Sequence, residues 1–203
     1  MSFRGGSSAA TTANTSAYAK RVDFVDCQFV HANNFAAVHL TGSVTCVLYG
    51  CTAGPSRFDG FSATTATGGA GGDVPKVVEI DCIGRNNGVT SAANQGSTSH
   101  FGGKHVRVNC QYYGNANDQV ADVGAGTCSW NVGVAVGPDG IGSGFSGFQC
   151  GNDGTDPKMW LDGCTFTSVD YDVCAQNATA TILYRNMAAP SVKPASTGTI
   201  GTY

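Results

Sequence analysis

The sequence predicts an all-β solenoid of stacked parallel strands, about seven coils long. Three observations carry that prediction: a short strand-like phrase that returns at a period in the twenties, turn residues that punctuate it, and a shortage of residues that sustain helices. The phrase appears as FVDCQF (Phe24 to Phe29), VLYGCT (Val47 to Thr52), VEIDCI (Val78 to Ile83), VRVNCQY (Val106 to Tyr112) and WLDGCTF (Trp160 to Phe166). A degenerate echo, ILYRN, stands at Ile182 to Asn186. Cys27, Cys51, Cys82 and Cys110 follow one another at 24, 31 and 28 residues, and Cys164 lies 54 beyond Cys110, two intervals of 27. Each phrase alternates apolar with polar residues and is bounded by Gly, Asn or Asp, which is the period of a strand.

Taken in order, residues 1–17 are Ser, Ala, Thr and Gly without periodicity and read as a flexible or partner-docking arm. Residues 18–187 hold the coils, with a loop excursion expected at SATTATGGAGGD, Ser62 to Asp73, where small polar residues offer little to bury. Residues 188–203 read as a second flexible tail. At about 4.8 Å per stacked strand the body is about 35 Å long, and no amphipathic capping helix protects either end. Open parallel edges call for a cover, which another copy, another protein or further chain would supply, and a homo-oligomer, with a trimer favoured, is the leading expectation.

Alternation also assigns faces. Val78, Ile80 and Cys82 share one face and Glu79 and Asp81 the other; Val106, Val108 and Cys110 share one and Arg107 and Asn109 the other. The cysteines are expected inward as a ladder of small apolar thiols, except at LYGC and LDGC, where the Gly could take the inward place instead. Aligning Cys82 with Cys110 sets Arg107 one coil beyond Glu79, which predicts an ion pair between neighbouring rungs, weak if exposed.

Composition excludes several classes. Gly contributes 29 residues and Asn and Asp 13 each, while Glu occurs once, so a helical bundle is ruled out. The net charge of -3 and the lack of a basic run argue against a nucleic-acid partner. No apolar run is long enough to span a bilayer, and the first residues lack the apolar centre of a signal peptide, so export by lysis, by particle assembly or within a longer precursor is expected. Nine Cys without a CxxC fit neither a full disulfide framework nor a zinc ribbon. No Gly-x-Ser-x-Gly elbow and no phosphate loop occur, and no cofactor is expected.

The segments EIDCIGRNNG, NQGSTSHFGGKHVRVNCQYYGN and NDQVADVGAGTCSWNVG, spanning Glu79 to Gly133, resemble the right-handed parallel β-helix proteins of the pectate-lyase-like superfamily, which includes phage tailspikes. The coil pattern extends the resemblance over Tyr18 to Asn186. The resemblance implies a surface-exposed, often trimeric protein, commonly on a virion among other particle proteins, that meets a glycan.

Candidate chemistry follows from residue type. Asp118, Gln119, Asp122, Ser129, Trp130 and Asn131, with His100, Tyr112 and Tyr113 upstream and Arg107 nearby, combine an aromatic face with amides and carboxylates, the mixture that a sugar requires. The plainer reading is that Trp130 packs in the core and Asp122 caps a turn. Hydrolysis needs two carboxylates flanking one bond, and Asp81, Asp122 and Asp162 are eligible if adjacent coils bring them together. A lyase would use Arg107, Lys104 or His100 as base beside an acidic cation site, for which no aspartate cluster is visible. His100, His105, His31 and His39 read as solvent-exposed turn histidines, and no metal site is expected. GNDGTDP (Gly151 to Pro157) reads first as a Gly-Asp turn, and the sequons at Asn14 and Asn177 carry no weight without a secretory signal. The leading expectation is a spike or fibre protein on a particle surface that binds bacterial surface polysaccharide. A polysaccharide depolymerase on the same fold is the alternative, and a purely structural shaft the third reading.

Overall fold

Seven residues set the geometry of one corner of the molecule. Asp26, Gly50, Asp81, Asn109, Gly133, Gly163 and Asn186 all have φ between 50° and 62°, a left-handed conformation that Gly, Asn and Asp adopt most readily. Each follows one strand and precedes the next, so the chain turns at the same point in every repeat. The turn residues that dominate the composition are therefore structural corners.

The computed structural model describes residues 1–4, 10–11, 21–32, 36–42, 44–64, 74–88, 94–138, 140, 145–151 and 156–203. Among them it is all-β, with three parallel sheets of seven, seven and eight strands and no helix. Within each sheet, neighbouring strands are three elements apart in the chain, the path of a three-sided parallel β-solenoid. Sheet A runs from Ser2–Arg4 to Thr165–Phe166, sheet B from Ala10–Thr11 to Tyr171–Ala175, and sheet C from Arg21–Val25 to Thr199–Thr202. The interval of 54 residues that lacks a cysteine phrase holds the strand Cys128–Val132, with Val134 at the inward position that Cys occupies elsewhere.

The corner residues correct the expected faces. Cys82 and Cys110 do point inward, but the left-handed residues Asp81 and Asn109 interrupt the alternation just before them. Glu79 and Arg107 are consequently buried at 0% exposure, while Val78, Ile80, Val106 and Val108 face outward and stay partly exposed. At the two ambiguous phrases Gly50 and Gly163 take the corner, and Cys51 and Cys164 turn inward. All nine cysteines are free thiols, eight of them buried and Cys128 half-buried. The ladder thiols donate to backbone carbonyls, as from Cys82 to Leu48 and Ile80, both 3.3 Å.

The ends of the chain also differ from expectation. Thr199–Thr202 pairs with Thr181–Arg185 as the last rung of sheet C, and Val192 bridges to Val173 on sheet B, so the stretch 188–203 is laid onto the stack. Ser2–Arg4 and Ala10–Thr11 pair with Gln28–Val30 and Val38–Thr41. Ser62 to Thr64, assigned to the loop excursion, belong to the strand Phe61–Thr64, and 65–73 lie outside the described residues. So do Asn14 and Asp153.

Inward side chains of sheet C change character along the stack. Cys46 and Leu48 toward one end, and Met159, Leu161 and Ile182 toward the other, are apolar and fully buried. Between them Glu79, His105, Arg107, Ser129 and Asn131 occupy the same inward positions.

Candidate functional site

Three places concentrate polar or apolar chemistry: the interior of the middle coils, a cleft outside sheet B, and the outer face of sheet C.

Inside, Arg107 is the hub. Register places it directly opposite Glu79 on the neighbouring strand, as expected, with their nearest charged atoms 4.0 Å apart. All five of its N–H groups find acceptors: Nε donates to Ser97 Oγ (2.8 Å), Nη1 to Asp122 (3.3 Å) and Asn131 (3.2 Å), and Nη2 to Asp122 (3.1 Å) and His105 Nδ1 (3.1 Å). With Nδ1 accepting, the His105 proton sits on Nε2 and is donated to Glu79 Oε1 at 2.5 Å. Burial lowers the His105 pKa, and the Arg107 charge lowers it further, in keeping with a neutral ring. Ser97 and Tyr112 complete the Glu79 shell at 2.7 and 2.6 Å. Burial alone would raise the Glu79 carboxyl, but His105, Arg107 and these hydrogen bonds outweigh it and hold the pKa below its ordinary value. The network joins all three sheets, since Tyr112 comes from sheet A, Ser97 and Asp122 from sheet B, and the rest from sheet C. A satisfied network of this kind fixes packing and leaves no reactive group facing solvent.

The cleft has a volume of about 360 Å³ and lies across successive rungs of sheet B. Thr98, His100 and Val123 form its floor, with Gln149 from the next rung. Asp59, Gln95 and Asp118 line one wall at equivalent positions of three successive coils, each two residues ahead of the paired Phe61, Ser97 and Val120. Phe145, Gln176 and Lys193 close the far end, where the ammonium lies 5.9 Å from the Phe145 ring centroid. Gln149 donates to Gln176. Asp118 accepts from the Ser146 backbone N–H at 2.6 Å and its hydroxyl at 2.8 Å, yet burial still raises its pKa. Asp59 is half-buried, and its carboxyl is pushed up to about 7 by burial, the Gln95 N–H offsetting only part of the effect. Among the described residues, no group of three His, Cys, Asp or Glu side chains is placed to hold a metal ion.

No protein-family model, curated protein or solved structure matches the chain.

On the outer face of sheet C, one row of side chains runs Val47, Val78, Val106, Trp130, Trp160, Leu183, and a second runs Val25, Tyr49, Ile80, Val108, Val132. Trp130 and Trp160 stack with centroids 4.8 Å apart and planes within 5°, a separation equal to the strand spacing of about 4.8 Å. Each indole thus covers a face of the other and presents its edge outward.

These placements divide the sequence candidates. His100 and Asp118 share the cleft. Trp130 is 43% exposed but stands on sheet C rather than beside them. Asn131, Asp122, Arg107 and Tyr112 are at most 1% exposed and belong to the interior network, so they offer a glycan no surface. Asp122 caps no turn. Tyr113 lies half-buried on sheet A. His105 is buried and His39 lies within the strand Val38–Thr41, so neither is an exposed turn histidine, whereas His31 is exposed at a left-handed turn.

The three candidate catalytic aspartates are not brought together. Asp81 is an exposed corner, Asp122 is locked to Arg107, and Asp162 pairs with Arg185 at 2.7 Å, which with Asn186 lowers its pKa. Asp81 and Asp162 sit near the same edge of sheet C but three rungs apart, about 14 Å, beyond the separation of a glycosidase pair.

Asp59, Gln95, Gln149, Gln176 and Lys193 escaped sequence reasoning. Asp59 and Gln95 stand two residues ahead of a sheet B strand, Gln149 within one and Gln176 just after one, while Lys193 belongs to the C-terminal stretch. Loops of unequal length break the period there, so the alignment emerges only once the strands are paired.

Proposed function

We propose that the chain is a spike-type right-handed β-solenoid that binds an extended surface polysaccharide in the cleft over sheet B. The observation that carries this reading is the run of carboxylate and amide side chains along the cleft from Asp59 to Gln176. A sugar hydroxyl both donates and accepts, amides answer in both directions, and carboxylates accept. Phe145 supplies an apolar surface for a C–H face. Two carboxylates in the cleft disfavour a phosphate backbone. The resemblance to tailspike-type proteins supports a particle surface as the setting and a bacterial glycan as the ligand.

Isothermal titration with oligosaccharides from a panel of bacterial surface polysaccharides tests the reading. The paired substitution Gln149→Ala with Gln176→Ala removes two partners of one hydrogen bond and leaves neither orphaned. Binding to at least one glycan, weakened about tenfold or more in the double variant, is the expected result. Wild-type protein that binds no member of the panel, or a double variant with unchanged affinity, overturns it.

Cleavage of that glycan is favoured by one specific feature. Asp59 and Asp118 are two rungs apart, about 9.6 Å by strand spacing, near the upper end of the separation of about 6.5–9.5 Å that inverting glycosidases use. A fall in glycan size that Asp59→Asn abolishes would establish the depolymerase; a glycan of unchanged size would leave binding alone.

A further inference from the structure

We infer that the outer face of sheet C is where the chain docks against a second copy of itself, face to face, with the solenoid axes parallel. In the two apolar rows Val25, Tyr49, Trp130 and Val132 are 60, 44, 43 and 41% exposed, and the other members are partly exposed. Eight strands at about 4.8 Å, each about five residues wide at about 3.3 Å, give a flat face about 34 Å by about 17 Å. That whole face is close to 600 Å², most of the roughly 800 Å² per partner in a stable interface, and the two apolar rows run through it with Asp23, Asp162 and Arg185 at their ends. The stacked indoles add aromatic anchors near the middle of the face, the residue type that dominates interface energetics.

Charge at the two borders identifies the occupant. Lys76, Lys104 and Lys158 line the border where the strands begin. Asp26 and Asp81, both exposed, line the border where they end. A second copy brought face to face by rotation about an axis along the solenoid sets its aspartate border against the lysine border. Because such rotation involves no slide along the axis, Lys76 of one copy meets Asp81 of the other at the same rung. A rotation about the strand direction instead sets lysine against lysine. The face is therefore self-complementary in the parallel arrangement and self-repelling in the antiparallel one.

Light scattering on the eluting protein tests this, with circular dichroism confirming the fold of each variant. The expected wild-type mass is that of two chains of 20.7 kDa each. Trp130→Lys and, separately, Val132→Lys replace side chains that are already exposed, and each is expected to raise the dissociation constant about 30-fold or more. Lys76→Asp or Asp81→Lys alone is expected to weaken assembly, and the two together to restore it. Wild type at the mass of one chain up to its solubility limit, or unchanged mass in both lysine variants, overturns the interface. Failure of the double charge reversal to restore assembly overturns the parallel arrangement. Neither outcome touches glycan binding, which is read separately by titration.

Discussion

Sheet C turns valine, isoleucine, tyrosine and tryptophan outward from consecutive rungs, whereas sheet B turns out threonine, histidine and glutamine beneath the wall formed by Asp59, Gln95 and Asp118. The same coils build both faces, each in its own parallel sheet. What differs is the side chain at the outward positions, where the stack imposes no requirement beyond tolerance of a strand. The comparison teaches that in a solenoid the inward rows and corners determine the fold, while each outward row is free to acquire a separate role. Here one face turns out polar side chains and the other apolar ones.

The largest expected effect abolishes the comparison by damaging what lies beneath both faces. Arg107→Met leaves Glu79 and Asp122 buried without their cation, and is expected to destabilise the protein by about 3–5 kcal/mol, read by urea unfolding. Because the network spans sheets B and C, glycan binding and self-association should fail together. A loss below about 1 kcal/mol would mean that the network is dispensable.

Corner substitution comes next and sharpens the division between fold and face. Asn109, at φ 52°, tolerates the left-handed region, and Asn109→Val is expected to cost about 1–2 kcal/mol with both partner interactions retained in the folded fraction. Thermal unfolding checks the first part, and titration of the folded protein the second.

Two carboxyls give pH dependences of opposite sign. Glu79 has a folded pKa below its ordinary 4.5, so the stability it contributes is present above that ordinary value and is lost as pH falls through the folded value. Asp59 has a folded pKa of about 7 against an ordinary 3.8. Between those values the native state holds more protons than the unfolded state, so the contribution of Asp59 to stability falls as pH rises from about 4 to about 7. Asp59→Asn is expected to flatten the stability profile in that upper window, while Glu79→Gln removes the acid-side dependence at a cost in stability. Denaturation midpoints at pH 3 to 8 read both, and the Asp59 effect, at a half-buried group, is the smallest in this series.

Much of the fold was legible in the sequence because its rules are local. Gly, Asn and Asp ahead of Cys27, Cys51, Cys82, Cys110 and Cys164 mark the corners, the intervals between these cysteines give the period, and the Glu79–Arg107 register follows from aligning two phrases. The faces were misread for one physical reason: a left-handed residue breaks the alternation, so parity counted back from Cys82 or Cys110 gives the wrong side. Less of the site could be read. His100 and Asp118 were found by residue type, but Asp122, Asn131 and Arg107 share that chemistry while serving the interior, and type alone does not separate a buried network from a binding surface. The sheet C patch was hidden because Val78, Val106, Trp130 and Trp160 look like core residues until the corners reverse their direction.

The measurement that tests the division of labour most directly is a paired one. Glycan affinity and assembly mass are determined side by side for the wild type, for Gln149→Ala with Gln176→Ala, and for Trp130→Lys. The expected result is that the cleft variant loses glycan affinity at unchanged mass, while the Trp130→Lys protein loses mass and retains affinity for the glycan. Variants in which both properties move together, or in which each substitution affects the opposite property, would contradict it.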